Sequence, residues 1–401
     1  MSGNARIAKP SMEREAAQAQ PRARRLAYFG HDAGDAAIRR RIHAFEDDGI
    51  KVTGFMMRRD AAQPTDWPNI DLGRTADGAF VQRIRQVFKG ARIAARQLET
   101  LEAADVIIAR NLDMLACAFL AKRYAKLDTP VIYESLDIHR LLCRTDVIGI
   151  LLRWLEGSLL GRTKGLVVSS PAFLRNHFER FYPGRYRAFL VENRLAAGAS
   201  YGSRPGVRLP EDDRPLRIGW VGVLRCQRSF DLLCQLADRF PATLEIHLHG
   251  VPARTEIPVF EPQVAKHPNM TYHGRYQSPE DLAALYGGLD LVWAGDFMEA
   301  GFNSVWLLPN RVYEGGYYCV PAIAPAGTET AAWIDHRKGG FLVEEPLQDT
   351  LPELITALLG DRTPIGMCQR ALAACPDEDF IQKEGLLSDI LDKVLEEGHT
   401  E

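Results

Sequence analysis

Short runs of apolar residues alternate with helical patterns along most of the chain. In the first half these runs are Leu26–Gly30, Lys51–Met57, Asp105–Ala109, Pro130–Glu134, Gly165–Ser169 and Ala188–Val191. They are rich in Val, Ile, Leu and Phe and are continuous rather than alternating, which is typical of strands covered on both faces. Helical patterns lie between them, at Ala36–Asp48, Val81–Leu101, Leu112–Lys126 and Ile148–Leu160. This alternation predicts an α/β fold with a parallel sheet and helices on both of its faces.

The pattern stops at residues 196–215, where Gly, Ser, Pro and charged residues predict a linker. It then restarts with the runs Leu216–Val223, Leu244–Leu248, Thr271–His273, Leu289–Ala294, Pro321–Ala324 and Gly340–Val343. We therefore predict two doubly wound, Rossmann-like domains, 24–195 and 216–375, that face each other across a cleft. Residues 1–23 are predicted to be a disordered lead-in, and 376–401 a C-terminal helix that can pack back on the N-terminal domain. Ligands of such sheets bind at the carboxyl ends of the strands.

Composition and charge narrow the classes of partner. The 401 residues include 49 Lys and Arg against 52 Asp and Glu, a formal charge of −3 that argues against a nucleic-acid partner. The chain is long enough to bury a core without disulfides or a structural metal, and its seven cysteines show no C-x-x-C spacing. No metal-ligand spacing and no P-loop are present in the sequence. A polar N-terminal segment without an apolar stretch predicts that there is no signal peptide and that the protein is cytoplasmic.

The segment Leu307–Ala324, LLPNRVYEGGYYCVPAIA, is the most informative one. It predicts a loop, a short helix that begins near Asn310, a Gly-Gly stop and a buried strand. Arg311 lies in the first helical turn, where the helix dipole already attracts anions, so a cation added there favours a phosphate or diphosphate. Glu314 follows one turn later and can accept hydrogen bonds from two vicinal hydroxyls, as a ribose offers. A surface Arg–Glu pair explains the same spacing.

The pattern P-N-R-V-Y-E-G-G-x-x-x-V-P-A-I-A resembles the segment P-x-K/R-x-x-E-x-x-x-x-G-x-P-V-V-A, which binds the nucleotide diphosphate in GT-B glycosyltransferases. This resemblance implies that Arg311 contacts the diphosphate and Glu314 the ribose, with Asn310 beside them. Retaining enzymes of this type carry two Glu residues eight positions apart. Glu314 corresponds to the second of them, and the position of the first is Trp306 here. The sequence is therefore more similar to bacterial exopolysaccharide glycosyltransferases, such as the succinoglycan glucosyltransferases and the xanthan glucuronosyltransferase.

Other residues of the second half join this predicted donor site. The segment Leu216–Leu233 resembles the first phosphate-contacting loop of the GT-B C-terminal domain and contributes Arg225 and, as a weaker candidate, Arg228. A solvated turn is the alternative for both. Polar residues after the strand Leu289–Ala294 are candidates for contacts with sugar hydroxyls, and Tyr276 resembles a residue beside the nucleotide base. The candidates after this strand are Asp296, Glu299, Asn303 and Ser304.

In the first half, the segment Val131–Arg140 leads a buried strand to an acidic end. An acceptor hydroxyl loses its proton as it attacks, so an inverting enzyme needs a general base. Asp137 resembles by position the catalytic Asp of inverting exopolysaccharide transferases, and a helix N-cap is the alternative role. His31 and Asp32, in the turn after the first strand, are the runner-up bases.

One helix also predicts a membrane contact. Gln82–Gln97 interleaves apolar residues with five cations and has no acidic residue, a composition that suits an anionic inner-membrane surface. The cations are Arg83, Arg85, Lys89, Arg92 and Arg96. The basic stretch Arg153–Lys164 can extend this surface. A solvated outer helix is the alternative.

Together these features predict a GT-B glycosyltransferase that acts peripherally at the inner membrane. It would move glucose or glucuronate from a UDP-sugar to a polyprenyl-diphosphate-linked oligosaccharide in exopolysaccharide synthesis, with inversion and without a metal or other cofactor. Two alternatives remain: a UDP-sugar epimerase of the same fold, and a non-catalytic partner of the polysaccharide-assembly machinery.

Overall fold

The computed structural model describes residues 23–59, 64–75, 80–208 and 213–396. Of the predicted lead-in 1–23, all but the last residue lies outside these ranges. The predicted α/β fold class is confirmed, because both halves of the chain form parallel sheets with helices on their faces. No helix in the described ranges has the length and apolar character needed to cross a bilayer.

The N-terminal domain is built on a sheet of order β3-β2-β1-β4-β5-β6-β7, in which every pair of neighbours is parallel. Its strands are β1 (Arg25–Gly30), β2 (Lys51–Arg58), β3 (Asn69–Arg74), β4 (Val106–Arg110), β5 (Val131–Ser135), β6 (Gly165–Val168) and β7 (Ala188–Leu190). Its helices are α1 (Ala36–Asp47), α2 (Phe80–Ala95), α3 (Leu98–Glu102), α4 (Asn111–Ala125), α5 (Val147–Leu160), α6 (Pro171–Phe173) and α7 (Glu179–Phe181), with a π-helical turn, Leu174–Phe178, between the last two.

The C-terminal domain has a second parallel sheet of order β10-β9-β8-β11-β12-β13. Its strands are β8 (Leu216–Leu224), β9 (Leu244–Pro252), β10 (Met270–Gly274), β11 (Leu291–Trp293), β12 (Ala322–Pro325) and β13 (Gly340–Val343). Its helices are α8 (Gln227–Arg239), α9 (Phe260–Val264), α10 (Leu282–Gly287), α11 (Asn303–Trp306), α12 (Asn310–Tyr317), α13 (Glu329–Arg337), α14 (Leu347–Gly360) and α15 (Thr363–Ala374), followed by a 3₁₀ turn at Asp377–Asp379 and by α16 (Leu386–Glu396).

Alternate residues of each central strand enter two different cores. In β1, Leu26 and Tyr28 pack on the face that α1 covers, whereas Ala27 and Phe29 pack under α2 and α4. Burial on both faces explains why these strands are continuous apolar runs in the sequence. β3 was not predicted, because this edge strand buries only Leu72 fully and has no apolar run.

The last helix, α16, packs against the N-terminal domain rather than the domain that precedes it. Leu387, Leu391 and Val394 enter the core beneath β1 and α1. The Asp48 carboxylate, just beyond α1, accepts hydrogen bonds from the backbone at the start of α16. The chain therefore crosses between the domains twice, and α16 links the C-terminal half back to the first sheet.

The predicted linker is fastened along the C-terminal domain. The Tyr317 and Tyr318 hydroxyls donate to the carbonyls of Gly202 and Tyr201. The Arg204 guanidinium donates to carbonyls at the end of α15 and stacks on Phe380. These contacts hold residues 199–206 against the C-terminal domain.

Candidate active site

Arg311, in the first turn of α12, is buried at the carboxyl edge of the second sheet. Its guanidinium donates to the carbonyls of Val221, within β8, at 3.3 Å and of Gly295, two residues after β11, at 3.2 Å. Its Nε is buried with no hydrogen-bond partner. Gly222 (φ 114°) and Gly250 (φ 129°) let β8 and β9 approach each other beside it, because a Cβ at Gly250 would meet the Gly222 oxygen at 1.7 Å.

Arg225 and Asp296 complete this group. The Arg225 guanidinium lies 3.5 Å from the Asp296 carboxylate, which also accepts from the Ser304 hydroxyl at 2.8 Å. Burial raises the pKa of Asp296, but the charges of Arg225 and Arg311 outweigh it and hold that pKa below its usual value. Arg225 remains partly exposed, so its charge is available to a ligand in the cleft.

Glu314 lies one turn after Arg311, buried, and accepts a hydrogen bond of 2.8 Å from the Tyr286 hydroxyl. Burial raises the pKa of Glu314, against the opposing charge of Arg40 on α1. Arg311 and Glu314 contact different partners and are both buried, so the alternative of a surface Arg–Glu pair is wrong. Tyr276, at the end of β10, is close enough to Glu314 for the carboxylate to help raise the pKa of its hydroxyl.

The remaining donor-site candidates lie at the same edge but have other partners. Arg228 forms an ion pair with Glu345 and stacks on Phe297, which leaves it a weaker candidate than Arg225. The Asn310 side chain faces the guanidinium of Arg40 from the N-terminal domain. The Asn303 side-chain oxygen accepts from the Ile138 backbone at 3.2 Å, so it joins the two domains.

Trp306 also joins the domains. Its carbonyl accepts from the Ser170 hydroxyl, and its ring packs against the N-terminal core. The position at which retaining enzymes of similar sequence carry a Glu is therefore a structural contact here.

Asp137 follows β5 and faces the C-terminal domain. Asp137 is exposed. Burial of Glu299 raises the pKa of that carboxyl, and the charge of Asp137 across the cleft raises it further. The adjacent Ile138 is the residue bonded to Asn303. No helix begins at Asp137, since α5 is capped by Asp146, so the N-cap alternative is wrong.

His31 and Asp32 differ in the partners that their side chains contact. His31 Nε2 lies 3.3 Å from the carboxylate of Asp35, the N-cap of α1, and its Nδ1 is 3.4 Å from the amide nitrogen of Asn111. Asp32 accepts from the Gly34 backbone and faces Arg59. His31 therefore has an orienting carboxylate, whereas Asp32 stabilises its own turn.

Arg110 is a site residue that sequence reasoning missed. It ends β4 and is buried, and its Nε and Nη1 have no hydrogen-bond partner. Burial lowers the pKa of Arg110, but the neighbouring Tyr28 hydroxyl and the carboxylates of Glu134 and Asp35 outweigh this and raise it, so the guanidinium stays charged. The signal in the sequence was a single cation closing an otherwise apolar strand, VIIAR.

The cations of the predicted membrane surface divide into two groups. Arg83 donates to Asp113 of α4 at 2.7 Å and faces the cleft end of the domain. The other four are exposed beside Ile84 and Phe88, at helical spacing along α2 and just after it; they are Arg85, Lys89, Arg92 and Arg96. Arg153 turns inward, donating to the carbonyls of Leu142 and Arg144, so the second basic stretch does not extend this surface from its first residue.

The cleft also contains a cavity of about 450 Å³ between α6 and the start of α13. Of the three charged side chains that line it, Arg175 and Glu329 pair with each other across the domains, and Asp335 pairs with Lys338. Buried guanidinium nitrogens without a hydrogen-bond partner are found instead at Arg311 and Arg110, so we take those positions and not this cavity as the candidate site.

Comparison with known proteins agrees with this geometry. No protein-family model matches the chain. The succinoglycan biosynthesis protein ExoL of Rhizobium meliloti (strain 1021) is 39% identical over 350 residues, which cover 84% of this chain and 85% of that protein. The chain belongs to the ExoL family. Its predicted kinship with exopolysaccharide enzymes is thereby confirmed.

Solved structures confirm the GT-B fold of this ExoL-family chain. The lipopolysaccharide outer core galactosyltransferase WaaB in its apo form has a TM-score of 0.61 at 14% identity, covering 93% of this chain and 99% of its own. Anabaena HepE in complex with UDP and glucose has a TM-score of 0.64 at 14% identity, and the match covers 94% of this chain and 99% of HepE. The prediction of a glycosyltransferase of exopolysaccharide synthesis is confirmed at the level of family and fold.

Glu314→Gln should stabilise the unliganded protein at pH 8. Burial raises the pKa of Glu314 in the folded protein above its value of about 4.5 in the unfolded chain. The carboxyl therefore stabilises the folded protein below pH 4.5, and this stabilisation is lost as the pH rises through the folded-state pKa. Gln keeps an acceptor for the Tyr286 hydroxyl without a buried charge. We expect its melting temperature to exceed that of wild type at pH 8, with the difference shrinking near pH 4.5. Glu353→Gln, an exposed change on α14, is the control; a Glu314→Gln protein less stable than wild type at pH 8 would contradict the account.

Proposed function

We propose that the chain transfers glucose or glucuronate from a UDP-sugar to a polyprenyl-diphosphate-linked oligosaccharide. The observation that carries this proposal is the meeting of Arg311 and Arg225 around Asp296, with Glu314 one turn along α12. The neighbour HepE has been solved with UDP and with UDP-glucose, and the relative ExoL is named for succinoglycan biosynthesis. Both support a nucleotide-sugar donor and a glycan acceptor for this chain.

The donor half of the reaction needs cations where negative charge grows. As the bond between the anomeric carbon and the diphosphate oxygen breaks, UDP leaves with that charge. Arg311 is already desolvated and held by backbone carbonyls, so it can stabilise the leaving group without reorganising. The two arginines supply the charge for this role, and we propose a metal-independent reaction.

The acceptor half needs a group that removes a proton. In the proposed step an acceptor hydroxyl oxygen attacks the anomeric carbon, and its proton passes to the Asp137 carboxylate. One displacement inverts the configuration, and Trp306 in place of the first Glu of the retaining pattern supports this single-step route. His31, oriented by Asp35, is the alternative base.

UDP should raise the melting temperature of the wild-type protein. A ligand that binds only the folded state at about 100 times its Kd stabilises it by about 2.7 kcal/mol. Glu314→Ala removes the proposed ribose acceptor and should lose most of the shift, whereas Glu353→Ala should keep it. A comparison of UDP with GDP tests which nucleobase the site accepts. A comparison of UDP-glucose with UDP-glucuronate tests which sugar it accepts.

The outcomes also separate the alternatives. Turnover of a soluble UDP-sugar without an acceptor would favour the epimerase. A chain that no nucleotide stabilises would contradict the donor site and favour the non-catalytic partner.

Asp137→Asn should lower kcat for sugar transfer by about 10²–10⁴, the usual contribution of a general base. Its shift with UDP should stay at the wild-type value, because the donor residues are unchanged. Asp128→Asn, at a fully exposed position after α4, is the matched control. If Asp137→Asn keeps its turnover while His31→Ala loses it, the base is His31 and the assignment to Asp137 is wrong.

We also propose that the enzyme works at the cytoplasmic face of the inner membrane, with α5 and α2 against the lipid. The first two turns of α5 expose an apolar face with i, i+3, i+4, i+7 spacing. Its residues and their exposed fractions are Val147 78%, Ile148 46%, Ile150 57%, Leu151 61% and Trp154 68%. Apolar faces of this kind on a soluble domain mark interaction surfaces.

The position and charge of this face favour a lipid surface over a protein partner. α2, α4 and α5 lie on the same side of the first sheet, so the exposed cations of α2 and the apolar face of α5 point outward together. Apolar side chains that enter the acyl boundary and cations that meet anionic headgroups are the two components of interfacial binding. The loop that carries Asp137 ends where α5 begins, which would bring a lipid-linked acceptor beside the base.

Ile150→Ser with Leu151→Ser should lower binding to phosphatidylglycerol vesicles by at least about tenfold, because two apolar side chains no longer enter the lipid. Co-sedimentation measures this. The control is Val259→Ser with Met367→Ser, two exposed apolar residues of the C-terminal domain that should leave binding unchanged. Equal loss in both variants, or wild-type binding that does not exceed that to neutral vesicles, would contradict the proposed surface.

A further inference from the structure

Three histidines meet on the outer strands of the second sheet. His247 and His249 alternate along β9 and so share one face, and a register shift in β10 places His273 between them. The rings of His249 and His273 are stacked at 4.2 Å, 4° from parallel, and His247 Nδ1 lies 2.9 Å from His273 Nε2. One ring nitrogen from each of the three lies within 4.8 Å of the others.

This face of β9 is open. The residues that alternate with the histidines, Ile246 and Leu248, are buried in the core on the opposite side of the sheet. On the histidine side, His247 and His249 are half-buried and His273 is exposed. The group therefore has a route from solvent and is still partly shielded from water.

The three rings favour their neutral form. Burial lowers the pKa of each histidine, and the neighbouring rings lower it further for His247 and His249, to about 4 for His249. At neutral pH the ring lone pairs are available as ligands. Neutral imidazole is the commonest protein ligand of the divalent transition metals.

Behind the group lies a carboxylate of the kind that orients metal-ligating histidines. The Glu245 carboxylate is 3.5 Å from His247 Nε2, on the side of the ring away from His273, and it accepts from Arg217 Nε at 3.1 Å. A histidine that binds a metal through one nitrogen usually donates its other N–H to such a group, which fixes the ring. His247 Nε2 makes no hydrogen bond in this structure, and the Glu245 carboxylate 3.5 Å away is placed to accept one.

We propose that His247, His249 and His273 form a binding site for a divalent transition-metal ion of the Zn²⁺ type. Three imidazole nitrogens with an open fourth position are a known zinc ligand set. Bonds of about 2.0 Å in a tetrahedron place the nitrogens about 3.3 Å apart, so the rings need only small rotations from their present spacing. The proposal does not depend on the proposed sugar transfer, and testing it needs neither donor nor acceptor.

The test is metal titration of the full-length, untagged protein after chelator treatment. Zn²⁺ binding is followed by calorimetry, and Co²⁺ binding by its visible absorption, which reports coordination geometry. We expect one equivalent of Zn²⁺, a rise in melting temperature, and weaker binding as the pH falls and the imidazoles are protonated. His249→Ala with His273→Ala should abolish this binding, and Glu245→Gln should weaken it by about 10–100-fold.

The control is His336→Ala, an exposed histidine of α13 that should leave binding unchanged. Circular dichroism confirms that each variant is folded, and the exposed single change His273→Ala replaces the double variant if that one is not. Absence of binding to the wild type overturns the proposal. Binding that survives in the double variant also overturns it, because the metal is then held elsewhere, for example by cysteine thiolates.

Discussion

Positive charge buried at the edges of the two sheets is the constraint on which the rest of the structure depends. Arg311 has left water and is compensated mainly by backbone carbonyls and the nearby Asp296. Arg110 occupies the corresponding edge of the other domain, with two nitrogens unpartnered. A buried cation with unmet hydrogen-bonding capacity reduces stability, and it persists where a ligand completes it. Both sheet edges thus hold a guanidinium with hydrogen-bonding capacity that a ligand can complete.

The domain interface keeps these two edges facing each other. Asn303 binds the backbone beside Asp137, Ser170 binds the Trp306 carbonyl, and Arg40 reaches from α1 to Asn310. Each contact includes a residue at the start of a helix, since Asn303 begins α11, Ser170 caps α6 and Asn310 begins α12. The contacts between the domains therefore lie beside the proposed site, and α16 provides the connection behind them.

Much of the fold could be predicted from the sequence because central parallel strands are apolar on both faces. The segment around Arg311 and Glu314 was also predictable, since helix start, cation and carboxylate follow one another within a single turn. What could not be predicted depends on pairing between distant strands. The polar edge strand β3 has no apolar run. Arg110 is recognisable as a buried charged residue only when β1 and β5 place Tyr28 and Glu134 beside it.

Two further features were hidden for related reasons. The sequence predicts a helix at Ile148–Leu160, and only the packing shows that the apolar side chains of its first two turns are exposed. His247 and His249 are separated by one residue, a spacing that places them on one face of a strand, but His273 joins them through the register of β10. Periodicity within a segment was thus sufficient to predict helices and strands. It was insufficient to predict groups of side chains that come from different helices and strands.

The central claim is that Arg225 and Arg311 hold a diphosphate while Glu314 holds the attached ribose. A crystal structure of the protein with UDP tests this most directly. The account predicts diphosphate oxygens within hydrogen-bond distance of both guanidinium groups and the two ribose hydroxyls donating to the Glu314 carboxylate. UDP bound elsewhere in the cleft, with Glu314 still bonded only to Tyr286, would contradict it.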